Sequence, residues 1–546
     1  MVPRIAGVIA LAALCACTGD IGHTGSPDSG GSAGPPSVDP LLAIESGARR
    51  LTQAELDNTL RDLLGEDTAP AARLLNEDEF RPFDNDYTIQ QASDALITSL
   101  EVLAKEVAER AVDDPARLAA LVPCTPTSDG DEPCFREFLG SFLPRALRRP
   151  ITPEDIDAYL PLLSFASEDN AVVENDFYTA IELVISAAVQ DPELLYRIEE
   201  GTPGSESGLL ELGGHEIANR MSYLLWATMP DDALFAAAAD GTLATPEGRR
   251  AEALRMLGDN KARSQLHRFH AMWLGYRTIP HTPDLVAAFN RETSALIDRV
   301  VLDEPGSYLR LFTLDETFVD EALADHYGLP RPDGGEGWVS YEGSGRAGIL
   351  GHGAMLAAFS KFEDTSPTQR GILVRTRLMC EAVPRPPPNV DTDQPPGGGM
   401  DALCKYDRYA EHRDQSSSCA GCHSLVDPIG FGLENFDVAG RFREHDDGLP
   451  ECIIEGSGEI VGVGEFSGPG ELSELLVEND YIDACAVKQF LTFALGRETT
   501  SYETALLSEL TEAFRSGHHD FKTFIVDFIA SDRFARLAEE RLSPWR

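Results

Sequence analysis

Apolar residues recur at helical spacing along most of the chain, and strict alternation is rare. Residues 51–65 show the pattern most fully. Thr52 and Glu55 form a capping box, Leu56, Leu60, Leu63 and Leu64 make one apolar stripe, and Gly65 ends it. A second long helical pattern covers residues 95–111. Thr152 followed by Pro153, Glu154 and Asp155 starts another, with the threonine as cap and the proline at the first helical position. The stripe Ile217, Met221, Leu224, Leu225 opens after Gly213-Gly214 and stops at Met229-Pro230. Residues 249–257, 262–274, 293–312, 471–478, 481–495, 505–514 and 521–534 continue the theme as core helices. Glycines and β-branched residues replace helix formers only near 337–341 and 452–463, which predicts short strands. Residues 384–388 and 394–400 are too rich in proline and glycine for a helix or a central strand, and predict an extended connection beside residues 419–443. The fold class expected is mainly α and multi-helical, with several packed helical domains and minor short strands near that stretch. No internal repeat is present.

The stretch from Cys419 to Arg443 opens with Cys-Ala-Gly-Cys-His. Two thiols three positions apart can each close a thioether to a haem vinyl group, and the adjacent imidazole can reach the iron from the same turn. The expectation is one covalent haem c per chain, attached through Cys419 and Cys422, with His423 as proximal ligand. Two other readings use the same residues: a redox disulfide between Cys419 and Cys422, or half of a zinc site. A zinc site needs further ligands, and neither a second Cys-x-x-Cys nor a spaced His pair accompanies this one. No Met follows the motif, the last being Met400. A sixth ligand must then come from His445, His518 or His519 downstream, or from His412, Met400, Met379 or Met355 upstream, and His445 is the first candidate. An open sixth position is the alternative, and it would admit peroxide or O₂ chemistry. Arg441 and Arg443 are candidates to pair with haem propionates, and the Pro428 carbonyl is a candidate acceptor for the His423 Nδ1 hydrogen.

The N-terminus bears on this reading because covalent haem attachment belongs outside the cytoplasm. Arg4 precedes an apolar run, Ile5 to Ala16, that is too short to span a bilayer. It reads as an export signal over residues 1–16. Leu14-Cys15-Ala16-Cys17 resembles a bacterial lipobox, which implies cleavage before Cys17 and acylation of that cysteine; an ordinary secretory signal is the alternative. Thr18 in place of Asp implies the outer membrane, facing the periplasm or the cell surface. Residues 17–45 are rich in Gly, Ser and Pro and read as a tether, whose 23 or so flexible residues reach about 25–30 Å.

Composition supports a globular body, with 42% hydrophobic residues. Lys plus Arg number 45 against 91 Asp plus Glu, a net charge of −46, so nucleic acid and anionic head groups are repelled and a periplasmic redox partner would be basic. Membrane contact is then expected through the lipid alone. Cys124, Cys134, Cys380, Cys404, Cys452 and Cys485 lie outside the signal and the CxxCH motif, and an even remainder in an oxidising compartment implies disulfides. Cys124 and Cys134 flank one short loop and make the easiest pair. The other four allow three connectivities; Cys404–Cys452 with Cys380–Cys485 is the working choice.

Several wordings in fixed order then carry a resemblance: residues 51–65, Arg81-Pro-Phe-Asp-Asn-Asp-Tyr87, Phe142-Leu-Pro-Arg-Ala-Leu-Arg-Arg-Pro150, residues 215–243, residues 318–330, Thr365-Ser-Pro-Thr-Gln-Arg-Gly371 within 348–388, the Cys419 stretch and Phe493-Ala-Leu-Gly-Arg497. Together they resemble a secreted multi-domain family of planctomycetes and myxobacteria built from consecutive domains of unknown function, with a cytochrome-c-like CxxCH segment. Cys380, Cys419, Cys422, His423 and Cys485 fall where that family has them. Cys124, Cys134, Cys404 and Cys452 are additions, which favours pairing the additions with one another. The domains expected are 46–140, 141–204, 205–335, 336–450, which holds the CxxCH motif, and 451–546. Asp84-Asn85-Asp86 lacks the rest of a calcium loop and reads as a turn or cap, and Gly204-Ser-Glu-Ser-Gly208 lacks the strand and helix of a nucleophile elbow. The function expected is a lipid-anchored, extracytoplasmic c-type haem protein that transfers electrons or serves as the redox module of an oxidative system. The alternatives are a non-haem structural or binding lipoprotein with a Cys419–Cys422 disulfide, and a peroxidase-like haem enzyme with an open sixth site.

Overall fold

The capping box at Thr52 forms: Glu55 N–H donates to the threonine hydroxyl, the Glu55 carboxylate accepts from Thr52 N–H at 2.9 Å, and Gly65 closes the helix in the left-handed region. The computed structural model describes residues 43–44, 46–76, 82–168, 176–361, 364–384, 402–414, 419–446 and 448–538. The export signal, Cys17, the tether up to residue 42, the proline-rich residues 385–400 and Met400 lie outside the described residues.

Helices dominate, as the periodicity predicts. Those that matter to the argument are α1 (Gln53–Leu64), α2 (Asp94–Asp113), α3 (Glu132–Leu147), α4 (Phe177–Gln190), α5 (Gly214–Trp226), α6 (Asn260–Leu274), α7 (Pro283–Ile297), α8 (Pro367–Leu373), α9 (Ala420–Phe431), α10 (Tyr481–Leu495) and α11 (Phe521–Ala530). Strands are short and antiparallel: β1 (Glu316–Asp320) pairs with β2 (Glu336–Ser340), β3 (His445–Asp446) with β4 (Leu449–Ile453), and β5 (Ser457–Ile460) with β6 (Gly464–Ser467). No helix among the described residues is long and apolar enough to cross a membrane.

The interior has two apolar clusters. One is built by α1 to α4 around Leu60, Leu103, Phe138 and Ile185. The other gathers α5, α6, α7, α10 and α11 around Met221, Trp273, Phe289, Phe490 and Ile525, and includes Leu373 of α8 and Ile429 of α9. Residues 83–87 pack onto the second cluster. Phe83 stacks on Phe269 and packs against Phe493, Asp84 pairs with Arg268 and Arg277, and Asn85 Nδ2 donates to Phe493 O at 2.9 Å. The Asp-Asn-Asp triplet is therefore an internal anchor. Its carboxylates face arginines and backbone amides.

At one crossing, α8 and α9 meet backbone to backbone. A Cβ added to Gly371 would lie 1.9 Å from Val426 O, and one added to Gly430 would lie 1.8 Å from Pro367 O. Side-chain-free positions at both ends of the contact are what let the helices approach so closely.

Elsewhere in the second cluster, α7 carries Glu292 into a fully buried polar group. Its carboxyl accepts from Thr317 Oγ1 at 2.7 Å, Tyr327 Oη at 2.7 Å and Tyr341 Oη at 3.2 Å. Burial outweighs these donors and pushes Glu292 up to about 7, and burial also pushes the neighbouring His352 down to about 3. Both groups are thus held neutral in mildly acidic solution.

Gly430→Ala is expected to cost about 1–3 kcal/mol, because backbone on both sides must move, and to lower the midpoint of chemical denaturation. For Glu292, a raised carboxyl pKa means that the folded chain binds the extra proton between its ordinary value and about 7, so its contribution to stability falls as pH rises through that window. Glu292→Gln abolishes that loss. Its stability relative to wild type should therefore climb from about pH 4.5 to about pH 7 and stay level above; a difference that does not change with pH would contradict the assignment.

Candidate functional site

Helix α9 begins just after Cys419 and carries Cys422, His423 and Asp427 on consecutive turns. Asp427 stands four residues beyond His423, so their side chains share one face. The carboxylate of Asp427 is 1% exposed and receives three donors. Thr368 Oγ1 donates to Oδ1 at 2.7 Å, His412 Nδ1 to Oδ2 at 2.9 Å, and His423 Nδ1 lies 3.1 Å from both oxygens. Burial opposes ionisation of Asp427, but the hydrogen bonds from His412 and His423 outweigh it and hold the carboxyl below its ordinary value. An ionised acceptor calls for a hydrogen on each Nδ1 that faces it. The two rings lie against each other with centroids 3.6 Å apart.

Each partner is delivered by a different element. Thr368 comes from α8, which the glycine crossing presses onto α9. His412 comes from a short helix, Ala410–Arg413, whose preceding segment is tied down by the Cys404–Cys452 disulfide and by Lys405 N–H donating to Asp446 at 2.8 Å. Tyr409 wedges edge-on between His412 and Phe431 of α9. A cavity of about 400 Å³ opens by the C-terminal end of α9, walled by Tyr406, Phe431 and Ile453 with Glu451 and Glu455.

A second group of buried charges holds the far end of α9. Glu434 accepts from Arg370 at 3.2 Å, Lys405 at 3.1 Å and Arg443 at 3.0 Å, and also from Thr365. Arg370 in addition donates to the Leu433, Leu356 and Asp437 carbonyls. The next three carbonyls are gripped in turn: Val438 O by His281 Nε2 at 2.7 Å, Ala439 O by His326 Nε2 at 2.8 Å, and Gly440 O by Arg346. Four successive carbonyls are thus tied by side chains from elsewhere in the fold, and Gly440 turns the chain in the left-handed region.

Three disulfides join Cys124 to Cys134, Cys380 to Cys485, and Cys404 to Cys452. Cys419 and Cys422 are half-buried and stand outside all three. Other expectations change. The acceptor for His423 Nδ1 is the Asp427 carboxylate in place of the Pro428 carbonyl, since an i,i+4 carboxylate reaches the ring directly. Arg443 is buried against Glu434 and is spent there, while Arg441 pairs with Asp437 and remains exposed. His445 lies in β3 opposite Ile453, and the residue brought onto His423 is His412. Sequence reading missed Asp427 and Thr368. The spacing of Asp427 from His423 on a helix was a usable signal, whereas Thr368 had none beyond lying within the Thr365–Gly371 wording.

The described donors fit a covalent haem. Cys419 and Cys422 sit one turn apart at the start of α9, and Nδ1 of the adjacent imidazole is held by the Asp427 carboxylate. The same fold and site define a mainly α protein whose CxxCH motif opens a helix. Five family models, each described as a protein of unknown function, match in succession: DUF1587 over residues 49–113, DUF1595 over 134–199, DUF1592 over 212–329, DUF1588 over 346–446 and DUF1585 over 464–534. The chain is a multi-domain protein assembled from these five consecutive domains of unknown function. The CxxCH helix falls within the DUF1588 match, and the clamp on residues 438 and 439 comes from the DUF1592 match. No curated protein and no solved structure matches the chain.

Arg370→Leu leaves Glu434 one cation short in a buried setting, and is expected to destabilise the protein by about 3–5 kcal/mol. Amide exchange in α9 should accelerate with it; unchanged protection there would contradict the role assigned to this cluster.

Proposed function

We propose that this chain is an extracytoplasmic redox protein that holds one covalent haem c on Cys419 and Cys422, with His423 as the axial ligand. One observation carries the reading: two thiols one turn apart adjoin an imidazole whose Nδ1 is held by a buried carboxylate. Bound there, haem supplies one-electron chemistry, and the chain's own part is to anchor the porphyrin edge, orient the ligand and set its donor strength. The three disulfides support an oxidising compartment, and the lipobox-like sequence supports attachment to the outer membrane through lipid on Cys17. The net charge of −46 favours a basic redox partner and disfavours nucleic acid.

Protein produced in a host that matures c-type cytochromes is expected to give the pyridine haemochrome of a c-type haem and to keep its colour through acid-acetone extraction. Cys419→Ser and Cys422→Ser should each weaken that retention. A colourless wild-type protein would overturn the reading in favour of a non-haem lipoprotein. In the coloured protein, Soret changes with CO, imidazole or peroxide identify an exchangeable sixth position, and a Soret band insensitive to all three identifies a filled one.

A further inference from the structure

Three donors compete for the two oxygens of Asp427. Those from Thr368 and His412 are short, at 2.7 and 2.9 Å, whereas His423 divides its Nδ1 contact between both oxygens at 3.1 Å. The carboxylate is 1% exposed, so water does not dilute its charge, and the division among the three donors is fixed by the protein. A carboxylate on Nδ1–H fixes the tautomer and raises the basicity of a metal-ligating imidazole; the closer the contact, the more anionic the ligand.

We propose that Thr368 and His412 are positioning residues that set how much of the Asp427 charge reaches His423, and thereby how strongly the protein favours ferric over ferrous iron. The inference rests on the haem c reading above and adds the regulation of that site. His412 Nδ1 shares the Asp427 carboxylate and its ring lies on the His423 ring, so it acts on His423 through both contacts.

The sign of the effect separates this role from a merely structural one. In Asp427→Asn the charge is gone, ferric iron loses its support, and the midpoint potential rises. In Thr368→Val, a substitution of nearly the same shape, one competitor is removed, more of the carboxylate charge falls on His423, and the potential drops. The haem-loaded proteins are titrated with redox dyes. The expected result is a shift of about tenfold in the one-electron equilibrium for Asp427→Asn, which is about 59 mV, and a smaller shift of opposite sign for Thr368→Val. Haem-loaded variants that move together, or do not move, overturn the inference while leaving the haem reading intact. If Asp427→Asn fails to fold or to load, the Thr368→Val result alone decides. A wild-type protein without haem overturns the reading beneath it.

Discussion

The backbone contact between α8 and α9 is the constraint on which the site depends. Gly371 and Gly430 leave no room for any other side chain, and the carbonyls of Val426 and Pro367 fill the space that a Cβ would need. Because the helices are this close, Thr368 reaches Asp427 and Arg370 reaches Glu434. Both contacts come from one seven-residue helix, whose N-terminus is capped by Ser366 and opened by Pro367. The packing of apolar residues around Leu373 and Ile429 supplies the driving force, and the glycines decide the geometry it produces.

Polar side chains from elsewhere in the fold also hold the segment that follows α9. Residues 437–440 give up four successive carbonyls to Arg370, His281, His326 and Arg346. Buried carbonyls need donors, and donors with long or rigid side chains can bring them from a separate domain. Arg346 also spans Tyr327 and Phe436, stacking within 5 Å of both rings, and so links the Glu292 cluster to the turn that follows α9. A site made in this way is stiff. His423 and Asp427 share α9, while Thr368 from α8 and His412 from the Ala410–Arg413 helix reach the Asp427 carboxylate from outside it.

Much of the fold was legible in the sequence. The helices at 53–64, 260–274 and 481–495 follow from apolar spacing and caps, since each must bury one face. The short strands near 337–341 and 452–463 follow from β-branched residues and turns. The pairing of distant helices was not legible, because periodicity says which face is buried and not what covers it. The site divides the same way. Cys419, Cys422 and His423 are read from one pentapeptide, but Thr368 and His412 reach Asp427 only through tertiary contact. Arg443 and Arg441 look alike in sequence, two positions apart, yet one is buried on Glu434 and the other faces solvent.

The proposed redox function requires His423 to ligate a haem that Cys419 and Cys422 carry. Peptide mapping by mass spectrometry of protein matured in a cytochrome-c-competent host tests this most directly. The account predicts that the fragment holding residues 419–423 carries one haem joined through both sulfurs. The same fragment recovered with bare thiols, or with Cys419 joined to Cys422, would contradict it.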